Sequence, residues 1–459
     1  MGILIVLYEL FFLGVGMKKL IVVFSILAAV TFSVFANGAD DKSAAEKSIT
    51  VWMINNPVEK IIKAFDAVAV DFENETGIKV SYVRTPTNDF HTRLVTSISA
   101  GAYPDVIIWN SQPGIEFSST GAVVTVDDVI AQAGKEHFGA GVLQSYMIKN
   151  KIYEIPFLAR PAGIHARKSW LEAAGYSTEL KTDKNGNFYM EGLRTWEDIV
   201  QAGIKITKAS EGKYGLGFGY SRKAFGDSAG FAFSVNASYG GRILDKNGKV
   251  AINSRETIAA LRFMQNMWKS GALPAACTTW DGNSNNQFFI GGDIGIVFNS
   301  NSILAKLNDK TTVKASDVII IPFPVGSAGR SFMEASPETI SIFKTAKVNY
   351  AKQFASYLIK PDTQIKMFRT MGFGYYSPLR ADVMNNAIFS SLSQNEKVLM
   401  RDTMKAVGPS FPSDADSRLT ALYSSFLFDD ALSRIAVDGW SPEQVADEME
   451  KKVKEAIED

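Results

Sequence analysis

Cysteine is almost absent from this sequence: Cys277 is the single one in 459 residues. One thiol rules out an intrachain disulfide and any paired-cysteine zinc site. Cys277 reads as a small, buried apolar side chain. Histidine is nearly as scarce, and His91, His137 and His165 share no metal-ligand spacing. Charge of one sign is missing too, since 48 basic and 48 acidic side chains cancel to +0. That balance gives nucleic acid nothing to hold. The glycine-rich stretches contain neither GxGxxG nor GxxxxGKS/T, so nucleotide binding is unsupported. After residue 36 no run approaches the roughly 20 apolar residues of a membrane helix. Neither a cofactor nor a metal is expected.

What is present begins with a targeting pattern. Met17, Lys18 and Lys19 open a basic stretch, residues 20–30 are apolar, and Val34-Phe35-Ala36 has the small-x-small form of a cleavage site. An export segment is expected over 1–36, starting at Met1 or Met17 and cut after Ala36. No cysteine stands there to carry lipid, so the mature chain is expected in a periplasm. Residues 37–47 read as a flexible leader.

With 46% hydrophobic and 21% charged residues, the remainder has ordinary globular composition. Residues 48–53 alternate as a strand. Val58, Ile61, Ile62, Phe65, Val68, Val70 and Phe72 make a helical stripe that Gly77 closes. A second strand over 78–84, a helix over 89–100 and a short buried strand over 105–109 follow. This β-α-β-α-β alternation predicts a parallel sheet with helices on both faces. Farther on, a strand over 151–156 is expected to stop at Pro156. Helices are expected over 195–209, 254–270, 350–359, 363–371, 395–407, 419–437 and 442–457, and strands over 293–299, 318–321 and 340–343. Two DKNG segments, Asp183 to Gly186 and Asp245 to Gly248, are tight turns. Their glycine is fourth rather than sixth, so they are not calcium loops.

Ligands of open α/β sheets bind past the carboxyl ends of strands. Trp109 followed by Asn110, Ser111 and Gln112 stands at such a point, with Pro113 and Gly114 barring the strand from continuing. An aromatic face followed by amides and a hydroxyl suits a neutral polar ligand with apolar faces, such as a sugar. Core packing is the competing reading of Trp109. Asn55 and Asn56 follow the first strand in the same way. Trp280 and Asp281 form a potential stacking platform in a loop rich in asparagine and serine. Asn299 and Asn301 close another strand, and Glu334, Ser336 and Glu338 lie in a later loop. Tyr375, Tyr376 and Arg380 follow two glycines. Tyr220, Arg222 and Arg160 complete the candidates.

The motifs then fall into a familiar order. Pro104-Asp105-Val106 with Trp109, Gly121-Ala122-Val123 and Val126-Asp127 resembles a PDV…W…G-L-x-x-L-D segment. Lys151 to Pro156 resembles GK-L-Y-G-L-P, Thr195 to Asp198 resembles T-W-D-E, and Gly240-Gly241 through Gly271 resembles GG…DG…A-L-x-F…L-x-x-G. Phe288 to Ile296 resembles F-x-x-G-x-A-A-M, and Pro322-Phe323-Pro324 with residues 351–361 fits P-x-P and A-x-x-F-x-x-F-L-x-S-P. Collinear over about 400 residues, these resemble bacterial extracellular solute-binding protein family 1, the sugar-type, maltose-receptor-like binding components of ABC importers.

The resemblance implies a two-lobed α/β periplasmic-binding-protein fold of type II, each lobe a mainly parallel sheet flanked by helices. Residues 48–157 and 320–371 would form the N-lobe, and 158–319 and 372–459 the C-lobe. It implies a monomeric, non-enzymatic receptor that captures a mono- or oligosaccharide in the interlobe cleft and hands it to an ABC permease. A polyol phosphate or polyamine is the alternative solute, and an exported glycan hydrolase the distant alternative. Two segments expected near the cleft depart from the pattern: His165 to Ser169 replaces Y-N-K-D-L, and Phe298 to Asn301 replaces G-x-W. The identity of the sugar therefore does not transfer.

Overall fold

The computed structural model describes residues 47–458 apart from Pro57, Ser111, Ser210, Phe225, Ala335, Ser336 and Ser425. The expected export segment and leader lie outside the described residues. Among those described, no helix is long and apolar enough to cross a membrane.

Ten strands carry the architecture: β1 (Ser48–Ile54), β2 (Lys79–Thr85), β3 (Val106–Trp109), β4 (Ile155–Ala159), β5 (Ala162–Arg167), β6 (Tyr214–Gly217), β7 (Ile294–Ser300), β8 (Val318–Ile321), β9 (Glu338–Ile342) and β10 (Ser377–Pro378). One six-stranded sheet has the order β10-β4-β9-β3-β1-β2, and a four-stranded sheet the order β6-β7-β5-β8. β1 pairs parallel with β2 and β3, and β6 with β7. β9 lies antiparallel between β3 and β4, and β5 antiparallel between β7 and β8. The sheets are therefore mixed rather than mainly parallel. In each, a strand following a crossing from the other sheet is inserted with reversed direction.

The first helix, Glu59–Thr76, buries Ile61, Ala64, Phe65, Val68 and Phe72, which is the stripe its sequence spacing dictates. Val70 departs from that stripe and is exposed. Gly77 ends the helix in the left-handed region and donates to the Glu73 carbonyl. Period-two alternation divides the larger sheet between two cores. Val51, Met53, Val106 and Ile108 face Phe65, Phe72 and Phe354. Trp52, Ile54, Ile107 and Trp109 face Phe90 and Leu94 of the helix Thr87–Ser99. Each such buried large side chain contributes roughly 1.5–3 kcal/mol.

Three differences from the sequence expectation have local causes. Pro156 does not end its strand but sits second in β4. Its missing N–H is tolerated because the pairing with β9 shifts register at Glu338/Thr339, while β10 covers only Leu158 and Ala159. The expected helix over 419–437 is two helices, Ser417–Ser424 and Leu427–Ala436, broken where Phe426 adopts φ 75°. The helix Gly226–Tyr239 was not expected; every residue from Ser228 to Tyr239 is buried. Both DKNG turns form, with Asp183 and Asp245 accepting backbone N–H groups from inside their own loops.

The chain passes from the larger sheet to the smaller after β4 and back after β8; after β10 it crosses again into helices, of which Gln394–Thr403 packs on β8 of the smaller sheet. Leu158, Ala159, Ser377 and Pro378 pair in the larger sheet and Ile320 and Ile321 in the smaller one, a few residues from the expected lobe limits.

Candidate functional site

The first crossing gathers five of the expected residues. Arg160 forms an ion pair of 2.8 Å with Glu338, the first residue of β9. The Tyr376 hydroxyl donates to the same carboxylate at 3.0 Å, and the Asn56 amide reaches Tyr376 at 3.4 Å. Tyr375 stands edge-on to Tyr376 at 4.9 Å, and the Arg160 guanidinium lies 5.7 Å from the Tyr375 ring. These groups come from β1, β4, β9 and the approach to β10, so the cluster binds the first crossing to the body of the larger sheet. Asn55 is exposed and holds the end of β2 through its backbone N–H.

A second polar group lines the end of β7. Asn299 is buried, and its Oδ1 accepts from Ser302 at 3.0 Å and Ser300 at 3.2 Å. Its amide lies 3.4 Å from Asp227 Oδ2, which also receives Asn285 Nδ2 at 2.8 Å. Burial pushes the Asp227 carboxyl up to about 7. Asn301 donates its backbone N–H to the Pro161 carbonyl at the first crossing, while its Oδ1 has no partner. Asp227, Asn285 and Asn286 were not singled out from the sequence. Asparagine at 283, 285 and 286 was the visible signal.

The third group occupies the seam between the lobes. Gln112 takes a left-handed conformation (φ 54°) and accepts from the Thr420 hydroxyl at 3.3 Å. Close by, Gly408 N–H donates to Ser145 Oγ at 2.8 Å, and Gln144 reaches Asp414 at 2.7 Å. The segment 112–148 thus meets the segment 408–420 in a closed arrangement. Glu154 lies fully buried beneath it. Glu154 Oε1 accepts the Gly114 N–H, the Ile115 N–H at 3.3 Å and the Ser341 hydroxyl at 3.2 Å. Burial outweighs those bonds and pushes its carboxyl up to about 7. Gly114 is required for the fit, since an added Cβ would lie 2.6 Å from the Tyr153 carbonyl oxygen and 2.9 Å from Glu154 Oε1. The Glu334 backbone N–H donates to Ser234 Oγ at 3.0 Å, and the residue is half-buried.

Several expected residues are committed elsewhere. Trp109 is 5% exposed and packs 4.7 Å from Phe90, because its side chain stands perpendicular to the sheet and enters the helix layer. Asn110 beside it is half-buried; Ser111 and Ser336 lie outside the described residues. Tyr220 is fully buried and its hydroxyl donates to the Met264 carbonyl at 2.8 Å. Trp280 is buried and stacked on Phe288 at 5.1 Å, and Asp281 accepts from Ser284 and Asn283 at the start of the helix Ser284–Gly291. Arg380 is buried in a two-pronged pair with Asp382, at 2.6 and 3.1 Å. His165 is buried in the small-sheet core, where burial lowers it to about 4. It lies on the face of β5 where Gly163 meets Leu399 of the helix Gln394–Thr403. Tyr220→Phe is expected to cost about 1–2 kcal/mol in urea unfolding and to leave solute affinity unchanged. A loss of affinity with stability preserved would return Tyr220 to the site.

Residues 67–397 match the family model described as bacterial extracellular solute-binding protein, and the chain belongs to that family. The family binds solutes and is non-enzymatic. A putative binding protein of Brucella abortus (strain 2308) is 22% identical over 353 residues, 76% of this chain and 79% of its own length. The arabinooligosaccharide-binding protein of Bacillus subtilis is 22% identical over 384 residues, 81% of this chain and 82% of its own. Among solved structures, the sugar-binding protein MalE of Xanthomonas citri matches with a TM-score of 0.72 at 18% identity, covering 89% of this chain and 97% of that one. The cyclic α-maltosyl-1,6-maltose-binding protein of Arthrobacter globiformis matches with 0.71, also at 18%, covering 89% and 98%. These likenesses establish the fold as the two-lobed periplasmic-binding-protein fold of type II.

Proposed function

We propose that this chain is the receptor of an ABC importer, holding a saccharide in the seam between its lobes and presenting it to the permease. The observation that carries this reading is the alignment of an arabinooligosaccharide-binding relative over four-fifths of both chains. The seam supports it chemically. Asn56, Asn110, Gln112, Asn299 and Asn301 offer planar amides from both lobes, and Glu154 and Glu334 offer acceptors. Tyr375 and Tyr376 provide ring faces. Exchange with solvent follows from hinge opening about the three crossings. The mature chain works in the periplasm, after removal of residues 1–36.

A phosphorylated solute fits less well. It would need free guanidinium groups, whereas Arg160, Arg222 and Arg380 pair with Glu338, Asp430 and Asp382. Purified chain is expected to bind an arabino-, galacto- or malto-oligosaccharide with micromolar affinity, about 8 kcal/mol. A hundredfold excess over Kd should raise stability by about 2.7 kcal/mol. Thermal melts read this directly, and silence across all three saccharide series would overturn the reading.

A further inference from the structure

A groove surrounds the hairpin that holds the first DKNG turn, and none of the seam residues lines it. The hairpin pairs Lys181–Thr182 antiparallel with Phe188–Tyr189. On one side, a depression of about 580 Å³ lies between Phe188, the segment 384–390 and the helix Gln394–Thr403. On the other, a depression of about 530 Å³ lies between Tyr189, Arg194, Phe323 and the loop 329–332. The two meet at Asn185, Asn187, Phe188 and Lys405, which line both. Both lobes contribute to the walls. Phe389 belongs to the larger-sheet core, 5.5 Å from Phe368, and Phe323 to the smaller-sheet core, 5.6 Å from Trp196.

The helix Gln394–Thr403 has two working faces. Val398 and Leu399 bury against Ile320 of β8. Lys397, Met400, Arg401 and Met404, spaced i, i+3, i+4 and i+7, line the groove instead. Met400, Met404 and Phe188 stay half-buried over a floor of buried Met384 and Phe389. Five cations line the groove, Lys397, Arg401, Lys405, Arg194 and Arg330, against the carboxylates of Asp183 and Asp402. Both carboxylates are committed. Asp402 pairs with Lys405 at 2.6 Å and accepts the Phe323 N–H at 2.8 Å. Asp183 accepts the N–H groups of Asn185 and Asn187 within its own turn. Among the described residues, Lys397, Arg401, Arg194 and Arg330 have no ion-pair partner. Arg401 and Arg194 lie over the rings of Phe188 and Tyr189, at 6.0 and 4.2 Å.

A neutral saccharide would leave these cations without counter-charge. A small inorganic anion would leave the methionines and phenylalanines wet, and a flat membrane surface does not reach a recessed floor. An amphipathic helix answers both demands. Carboxylates one turn apart would face Lys397 and Arg401. Apolar side chains beside them would cover Met400, Met404 and Phe188, and methionine adapts to irregular apolar partners. We propose that this groove docks an acidic amphipathic helix of a second protein. The inference concerns a surface outside the seam and is independent of which solute the seam holds.

The test measures fluorescence anisotropy of labelled peptides about four helical turns long, titrated with the purified chain. One peptide carries glutamates one turn apart with leucines beside them; the other has glutamine at every glutamate. The glutamate peptide is expected to bind with a Kd on the order of 10 μM, and the glutamine peptide about tenfold more weakly. Raising sodium chloride to about 0.3 M should weaken the glutamate peptide several-fold. Lys397→Glu and Arg401→Glu should each weaken it about tenfold. Arg255→Glu makes the same charge change on an exposed side chain outside the groove and should leave binding unchanged. Melting midpoints establish that the variants are folded. Equal binding of the two peptides, or an equal loss in Arg255→Glu, would overturn the proposal. So would silence from the glutamate peptide at about 1 mM. Self-association of the chain in sedimentation, abolished by Arg401→Glu, would give the groove to a second copy and overturn the separate partner. Each of these results leaves the receptor reading standing.

Discussion

A Gly215→Ala chain is expected to lose about 4 kcal/mol or more of stability, the range reserved for a core that cannot adjust. Gly215 lies in β6 against Gly203, in the helix Trp196–Ala209. A Cβ on Gly215 would fall 2.5 Å from the Gly203 Cα and inside the van der Waals envelope of its carbonyl. Both obstacles are backbone, so no rotamer relieves the clash. Thr207 holds the approach: its hydroxyl donates to the Gly203 carbonyl at 2.9 Å and accepts the Gly215 N–H at 2.7 Å. Pushing helix and strand apart would break this bridge as well. Gly203→Ala is the comparison: its new methyl meets only the side chain of the buried Leu216, an overpacking that a rotamer change and local repacking can relieve in part, unlike a backbone clash. It should cost less, about 1–3 kcal/mol. Urea unfolding of the two variants gives the comparison. A Gly215→Ala chain within about 1 kcal/mol of the parent would mean that helix and sheet do not touch at backbone level.

The first lobe could be read from the sequence because its signals were local and periodic. The stripe of Glu59–Thr76 and the alternation of Ser48–Ile54 depend on one face being buried and the other not. Gly226–Tyr239 escaped for the opposite reason: with every residue from Ser228 to Tyr239 buried, no polar face remains to set a period. The site was harder, since the aromatic side chains that suggest sugar stacking are also those that fill cores. Trp109 shows why. It shares its face of the sheet with Ile107, two residues earlier, and that face is covered by Phe90 and Leu94. Position at a strand end favoured a ligand, whereas side-chain direction favoured the core, and direction prevailed. Glu154 had a visible signal that went unused. It is a charged residue within an apolar strand motif, at the place where the family pattern carries glycine. Gly114, which leaves room for its carboxylate, lies too far along the chain for any local pattern to connect the two.

The same carboxylates make stability depend on pH in an unusual direction. Burial raises Glu154 and Asp227 to about 7 and Asp429 to about 8, while the unfolded chain releases those protons near pH 4. Between those limits the folded state holds more protons than the unfolded state. The stability these groups contribute is therefore present at low pH and lost as pH rises through 7 to 8. His165 acts oppositely, because its lowered value makes the folded chain take up its proton later, but only below about pH 6.5. Paired acids such as Asp317, whose hydrogen bonds and pairing with Arg167 hold it low, lose stability only in more acidic solution. The window from about pH 6.5 to 8.5 isolates the buried acids. Across it the solute-free chain is expected to lose about 3 kcal/mol, a drop of several degrees in Tm. Glu154→Gln should take about 1 kcal/mol off that loss, Asp227 and Asp429 supplying the rest, and match or exceed the parent at the alkaline end, since the amide has no charge to desolvate. Calorimetric scans of parent and variant at several pH values read the slope of each. Parallel profiles for parent and Glu154→Gln would remove Glu154 as a titrating group.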